Sequence, residues 1–300
     1  MNDLRKRPAG GRSARWTPWV FLAPYLALTA VFFVYPFINA VLLAFQQTNG
    51  PRSHVWVGLD NFRFVLSDPD FYTALWNTTV YALVSVFVQL PLALGLALML
   101  NAGRSRLKGF FRLLLFSPNL VGQIFVGVIF SVIFMPRYGM FNQFLQALIG
   151  WGLEERWLSN PSLVMPALIV TSLWLYVGFN MIYFLAALQN VEKDLVEAAT
   201  VDGAGPWRVF WHVTLPSIKP VAVFVVVMST IGSYQLFELP YALLKGFGPK
   251  NSGLTIVGYL YNTAFAAGDL GTGSAVGWIL ALIIAVISLA QLRISHAARE

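Results

Sequence analysis

Residues 197–220 read Glu197-Ala198-Ala199-Thr200-Val201-Asp202-Gly203-Ala204-Gly205-Pro206-Trp207-Arg208-Val209-Phe210-Trp211-His212-Val213-Thr214-Leu215-Pro216-Ser217-Ile218-Lys219-Pro220. This stretch joins two long apolar runs, yet it is longer and more ordered than a passive connector. Asp194–Val201 has the pattern of a short helix, with an acidic residue in its first turn and Ala, Leu and Val after it. Gly203 and Gly205 interrupt that pattern, and Pro206 suits the first turn of a second helix. Pro206–Val213 carries Trp207, Phe210 and Trp211 at i, i+3 and i+4, a hydrophobic face on a short helix. Pro216 and Pro220 are expected to mark the start of the next apolar run. The small residues in front permit close approach to another surface, and the aromatics behind can anchor the unit to its own helices. An amphipathic hairpin lying at a membrane surface without a partner accounts for the same pattern.

The runs on either side define the solvent. Of the 300 residues, 57% are hydrophobic and 11% charged, well below the roughly 25% charge of a soluble domain. A bilayer-spanning helix needs about 20 mostly apolar residues. Six such spans are predicted: Trp19–Phe45, Ala74–Leu100, Phe110–Met135, Ser162–Gln189, Val221–Tyr241 and Ser274–Leu292. Pro24, Pro36 and Pro91 fall within them and are tolerable where neighbouring helices satisfy the freed backbone groups. The first apolar run, starting near Trp19, is too long for the core of a cleavable signal peptide. The expected division is a basic tail (1–18), a first transmembrane helix with an outer interfacial loop (19–71), a transmembrane core (72–292) containing the loop 190–220, and a short tail (293–300).

Charge sets the orientation. Segments on the side of the termini carry fourteen Lys and Arg residues and the opposite loops carry six, which places both termini and the loop 190–220 in the cytoplasm. The net charge of +7 is therefore a topology signal, and nucleic-acid binding is not expected. The absence of cysteine excludes disulfides and thiolate chemistry. His54, His212 and His296 show no ligand spacing, so neither a metal site nor a catalytic residue is expected. In the outer loops, Trp56, Phe62, Phe64, Trp151 and Trp157 suit segments lying at the membrane interface.

The loop resembles the EAA loop of permease subunits in binding-protein-dependent ABC importers. The match lies in Glu197-Ala198-Ala199, Asp202-Gly203-Ala204, Phe210, Leu215-Pro216 and the further Pro220. Around it, Phe116-Ser117-Pro118-Asn119, Tyr138-Gly139-Met140-Phe141-Asn142, Gly246-Phe247-Gly248-Pro249 and Tyr261–Ala275 are similar to the carbohydrate-uptake branch, except that Phe247 interrupts its usual Gly-Gly-Pro. The resemblance implies an all-α bundle of the type I importer class in a bacterial inner membrane. The loop would be the coupling helix, with Glu197, Ala198, Ala199, Asp202, Gly203, Ala204, Leu215 and Pro216 at the contact with a cytoplasmic ATPase. It implies a second permease subunit, usually a different chain, a dimeric ATPase that holds ATP and magnesium, and an extracytoplasmic binding protein. This chain lacks a Gly-x-x-x-x-Gly-Lys-Ser/Thr loop and has no nucleotide site of that type.

The path of the cargo, a sugar or related polyol, is expected on two spans. In span four, Ser172, Leu175, Tyr176, Phe179 and Tyr183 recur on one helical face, and in span five Ser229, Gly232 and Ser233 do the same. In the maltose-type permease of this branch these spans supply the substrate contacts, and the matching positions here are Ser172, Leu175, Tyr176, Phe179, Ser229, Gly232 and Ser233. Plain helix packing through small residues explains the same pattern. Glu238, read as the only acid within the spans, is the one candidate for an ion-coupled secondary transporter. No acidic pair and no Ser–His arrangement supports an intramembrane enzyme.

Overall fold

The computed structural model describes residues 13–48, 54–102, 107–150 and 152–297. Trp151 and much of the basic charge, including Arg5, Lys6, Arg7, Arg12, Arg52, Arg104, Arg106 and Arg299, lie outside the described residues. Among the described residues, five helices are long and apolar enough to cross a bilayer: Pro18–Leu43, Pro69–Ala102, Pro161–Gln189, Pro206–Tyr234 and Leu270–Ser295. A bent pair, Lys108–Leu120 and Gln123–Ile133, whose halves meet at 98°, is apolar enough taken together to make a sixth, broken span, called span three below. Apart from a two-stranded antiparallel hairpin, Gln46–Thr48 with His54–Trp56, the regular structure of the described residues is helical.

Span three was expected as one rod over Phe110–Met135. The chain instead turns at Val121 and Gly122, both in extended conformation, after a tight turn over Ser117–Leu120 that contains Pro118. Its second half packs closely on the short helix Glu238–Leu244: a Cβ on Gly127 would sit 2.7 Å from that of Ala242.

Span five was expected over Val221–Tyr241, with Pro216 and Pro220 as its boundary. It runs instead from Pro206 to Tyr234 as one helix, with both prolines and His212 inside it. A widened turn at Phe210–Thr214, in which the amide of Leu215 reaches the carbonyl of Phe210, absorbs the misfit of a proline that offers no amide of its own. The helix stops at Tyr234, and Glu238 opens the separate helix Glu238–Leu244 with its side chain exposed. Glu238 thus lies on a separate short helix packed on the second half of span three rather than in span five.

Three apolar clusters hold the bundle together. One joins Phe130, Phe134, Leu168, Leu175 and Leu239. A second joins Phe71, Tyr234, Ile256, Tyr259 and Val276. The third joins Leu90, Ala97, Met181, Leu185, Ile218 and Val225 of spans two, four and five. Span one is the exception, for none of its most apolar window is buried within this chain.

The outer motif around Tyr138–Asn142 is a packing device. A Cβ on Gly139 would lie 2.3 Å from the carbonyl oxygen of Ile133, so only glycine is accommodated. Asn142 is fully buried and donates to the carbonyls of Met135 and Glu155 while accepting from the indole of Trp157. Trp157 is therefore a core residue against Phe134 and Phe141 rather than an interfacial anchor. Trp56 and Phe64 are exposed, as an interfacial position requires. Phe247 lays its ring where Gly258 leaves room, since a Cβ there would meet the ring at 2.4 Å.

Candidate functional site

Two regions concentrate the residues singled out in the sequence. The first is a cavity of about 340 Å³ lined by Tyr81, Ser85, Gln89, Gln123, Tyr176, Ser229, Gly232, Ser233, Gln235 and Leu236. It lies beside the middle of spans two and four and at the two places where the bundle is broken, the bend of span three and the end of span five. Broken helices deliver polar groups to a membrane interior where regular helices cannot.

Of the seven predicted path residues, the cavity gathers Tyr176, Ser229, Gly232 and Ser233. Gly232 is informative, because a Cβ there would meet no atom within 4 Å. Its smallness serves open space rather than a close helix crossing. The other three residues lie elsewhere. Ser172 is buried and returns its hydroxyl to the carbonyl of Ile169 at 2.9 Å. Leu175 is buried in the apolar core. Phe179 stacks on Phe116 and meets Tyr183 edge-on. These three make packing contacts within this chain.

Span two contributes residues that sequence reasoning did not pick out. Tyr81, Ser85 and Gln89 recur every four residues in an otherwise apolar helix, a polar stripe that was there to be read. A widened turn over Ser85–Gln89, closed from the amide of Leu90 to the carbonyl of Ser85, lies at the cavity, and such turns recur at functional sites. The hydroxyls of Ser85 and Ser229 are 2.8 Å apart and join spans two and five across it. Gln123 and Gln235 sit at the two helix breaks, which hydropathy alone does not locate.

The second region is the loop between spans four and five. The helix spans Lys193–Val201 and none of its residues is buried. Its C-terminus is closed by the amides of Asp202, Gly203 and Ala204, which reach the carbonyls of Ala198, Thr200 and Ala199. Gly203 takes φ +80°, the left-handed conformation glycine adopts without a Cβ penalty. Glu197 and Ala198 are exposed, as are the apolar side chains of Leu195 and Val201. Trp207, Phe210 and Trp211 pack ring on ring with centroids 5.4–6.0 Å apart, and Trp207 remains largely exposed. Leu215 lies half-buried and Pro216 exposed, both within span five rather than in the loop. Lys193, Val196 and Glu197 of the loop helix line a cavity with Leu98 and Asn101 of span two and Leu188 and Gln189 of span four, while Leu195, Ala198 and Val201 are exposed.

Residues 89–297 match the profile of the binding-protein-dependent transport system inner membrane component family. The chain belongs to that family. The permease is 38% identical to the arabinooligosaccharides transport system permease protein AraP of Bacillus subtilis (strain 168), over 94% of this chain and 90% of that protein. It is 35% identical to the lactose transport system permease protein LacF of Rhizobium radiobacter, over 94% of each chain. Its fold superposes with a TM-score of 0.83 on a subunit of a bacterial ABC transporter involved in the import of the acidic polysaccharide alginate. That match covers 96% of this chain and 98% of the other at 24% identity. The permease is thus a multi-pass inner-membrane transport component with the type I importer fold.

Proposed function

We propose that this permease passes a sugar or related polyol through the cavity between spans two, three, four and five. The loop Glu197–Pro220 receives force from a separate ATPase. The observation that carries the reading is the cavity at the helix breaks, lined by hydroxyls, amides and two tyrosine rings. A sugar presents polar edges and flatter apolar faces, and such a lining answers both. The names of the relatives point to the same cargo class. In this reading the cargo contacts are Tyr176, Ser229, Gly232 and Ser233. Ser172, Leu175 and Phe179 support the wall from behind.

The coupling surface is Glu197, Ala198, Ala199, Asp202, Gly203 and Ala204, with Leu215 and Pro216 carrying the movement into span five. Because Pro206–Tyr234 is one helix, a push on the loop reaches the cavity along a rigid rod, a rigid-body route to alternating access. The partners are a second permease subunit, a dimeric cytoplasmic ATPase bearing ATP and magnesium, and an extracytoplasmic binding protein. Reconstitution of the complex in proteoliposomes tests the reading. Saccharide uptake should require ATP, the ATPase and the binding protein together. Uptake driven by an ion gradient without the ATPase would refute it.

A further inference from the structure

Gln89 is a buried polar residue of span two. It is 3% exposed and lines the cavity, yet its side-chain amide has no hydrogen-bond partner among the described residues. Unlike Ser288 Oγ and Gln291 Oε1, which are enclosed without a partner, its polar atoms open onto the cavity, where water pairs them until something displaces it. An amide that opens onto a cavity and spends no hydrogen bond on the protein is free to pair with a molecule that enters. A glutamine offers a donor and an acceptor on one rigid group, the pair that neighbouring hydroxyls of a saccharide can both use.

The rest of the lining narrows the class of that partner. Its polar groups are neutral hydroxyls and amides, and it contains no Lys, Arg, His, Asp or Glu. A carboxylate or phosphate moved from water into such a cavity would lose its hydration and find no opposite charge. An uncharged, hydroxyl-rich cargo loses less and recovers hydrogen bonds from Gln89, Gln123 and the serines.

We propose that Gln89, on span two, binds the cargo directly, and that this cargo is a neutral saccharide rather than a sugar phosphate or uronic acid. The proposal rests on the reading of the chain as a sugar permease. The test uses the complete transporter in proteoliposomes with saturating binding protein. Arabinotriose, lactose and diacetylchitobiose are the neutral probes, and sn-glycerol 3-phosphate is the anionic one. The wild type takes up at least one neutral saccharide and not the phosphate. Gln89→Met keeps the side-chain length and removes the amide. In that variant, cargo carried per ATP hydrolysed falls on the order of tenfold, the loss of about one hydrogen bond.

An unchanged ratio in Gln89→Met overturns the role of Gln89. Failure of both Gln89→Met and Gln89→Leu to assemble, seen by size-exclusion chromatography, assigns the residue to packing and also overturns it. Wild-type uptake of the phosphate overturns the neutral-cargo assignment. A wild type that carries none of the saccharides sinks the parent reading itself, an outcome separate from any result with the variants.

Discussion

Gly203 and Gly178 are both glycines for steric reasons, but the reasons differ and so do the expected consequences of replacing them. Gly203 sits at φ +80° with open space around the position a Cβ would take. A side chain there strains only a local turn, at a cost of order 1–3 kcal/mol, and leaves the bundle standing. Gly203→Val should therefore yield a folded, assembled permease that no longer supports ATP-driven uptake, measured as uptake per assembled complex. Gly178 is the opposite case. A Cβ there would lie 1.7 Å from the carbonyl oxygen of Leu115, a backbone atom that cannot swing aside. Gly178→Ala should force span four away from span three, with a loss of about 1–3 kcal/mol or more. Thermal unfolding in detergent would show it as a lowered midpoint, and an unchanged midpoint would show that the two spans do not touch there.

At the scale of elements, the outer end of span two is tied to the segment before span six. Asp68 caps span two by accepting from the amide of Asp70, and its other oxygen accepts from the hydroxyl of Tyr259 at 2.6 Å. Burial first, then the adjacent Asp68 carboxylate, raises the Tyr259 phenol above its ordinary value. The raised phenol stays protonated and donating at physiological pH, so the bond's contribution is present there and is lost only as pH rises through the folded value. Tyr259→Phe should cost roughly 1.5–3 kcal/mol, the range for a hydrogen bond to a charged group, read as a drop in unfolding midpoint at neutral pH. Elements such as these mark how far the sequence could be read. Spans one, two, four and six were legible because each is a long apolar run whose ends carry polar residues. Span five was misplaced because Pro216 and Pro220 look like a boundary, whereas the widened turn at Phe210–Thr214 carries the helix past them. The bend of span three was missed because an average over the whole apolar run passes over its local signals, Ser117-Pro118-Asn119 and Gly122-Gln123. The cavity was half legible for the same reason: helical spacing found Tyr176, Ser229, Gly232 and Ser233, while Gln123 and Gln235 depend on the breaks.

The whole molecule has the cavity between its spans and an exposed helix beneath them, with one continuous helix between the two. The apolar surface left bare along span one requires lipid or another subunit to cover it. Leu195 and Val201, on a helix with no buried residue, ask for a partner in the cytoplasm. In the proposed function that partner is the ATPase, on which this loop helix docks. Because the chain has no cysteine, a single thiol can report on it. Ala198→Cys is made in the full complex, in inside-out membrane vesicles and in intact cells, and treated with a membrane-impermeant maleimide. The account predicts labelling in inside-out vesicles stripped of the ATPase, protection when the ATPase is restored, and no labelling from the outside of intact cells. Labelling from outside, or labelling that the ATPase leaves unchanged, would contradict it.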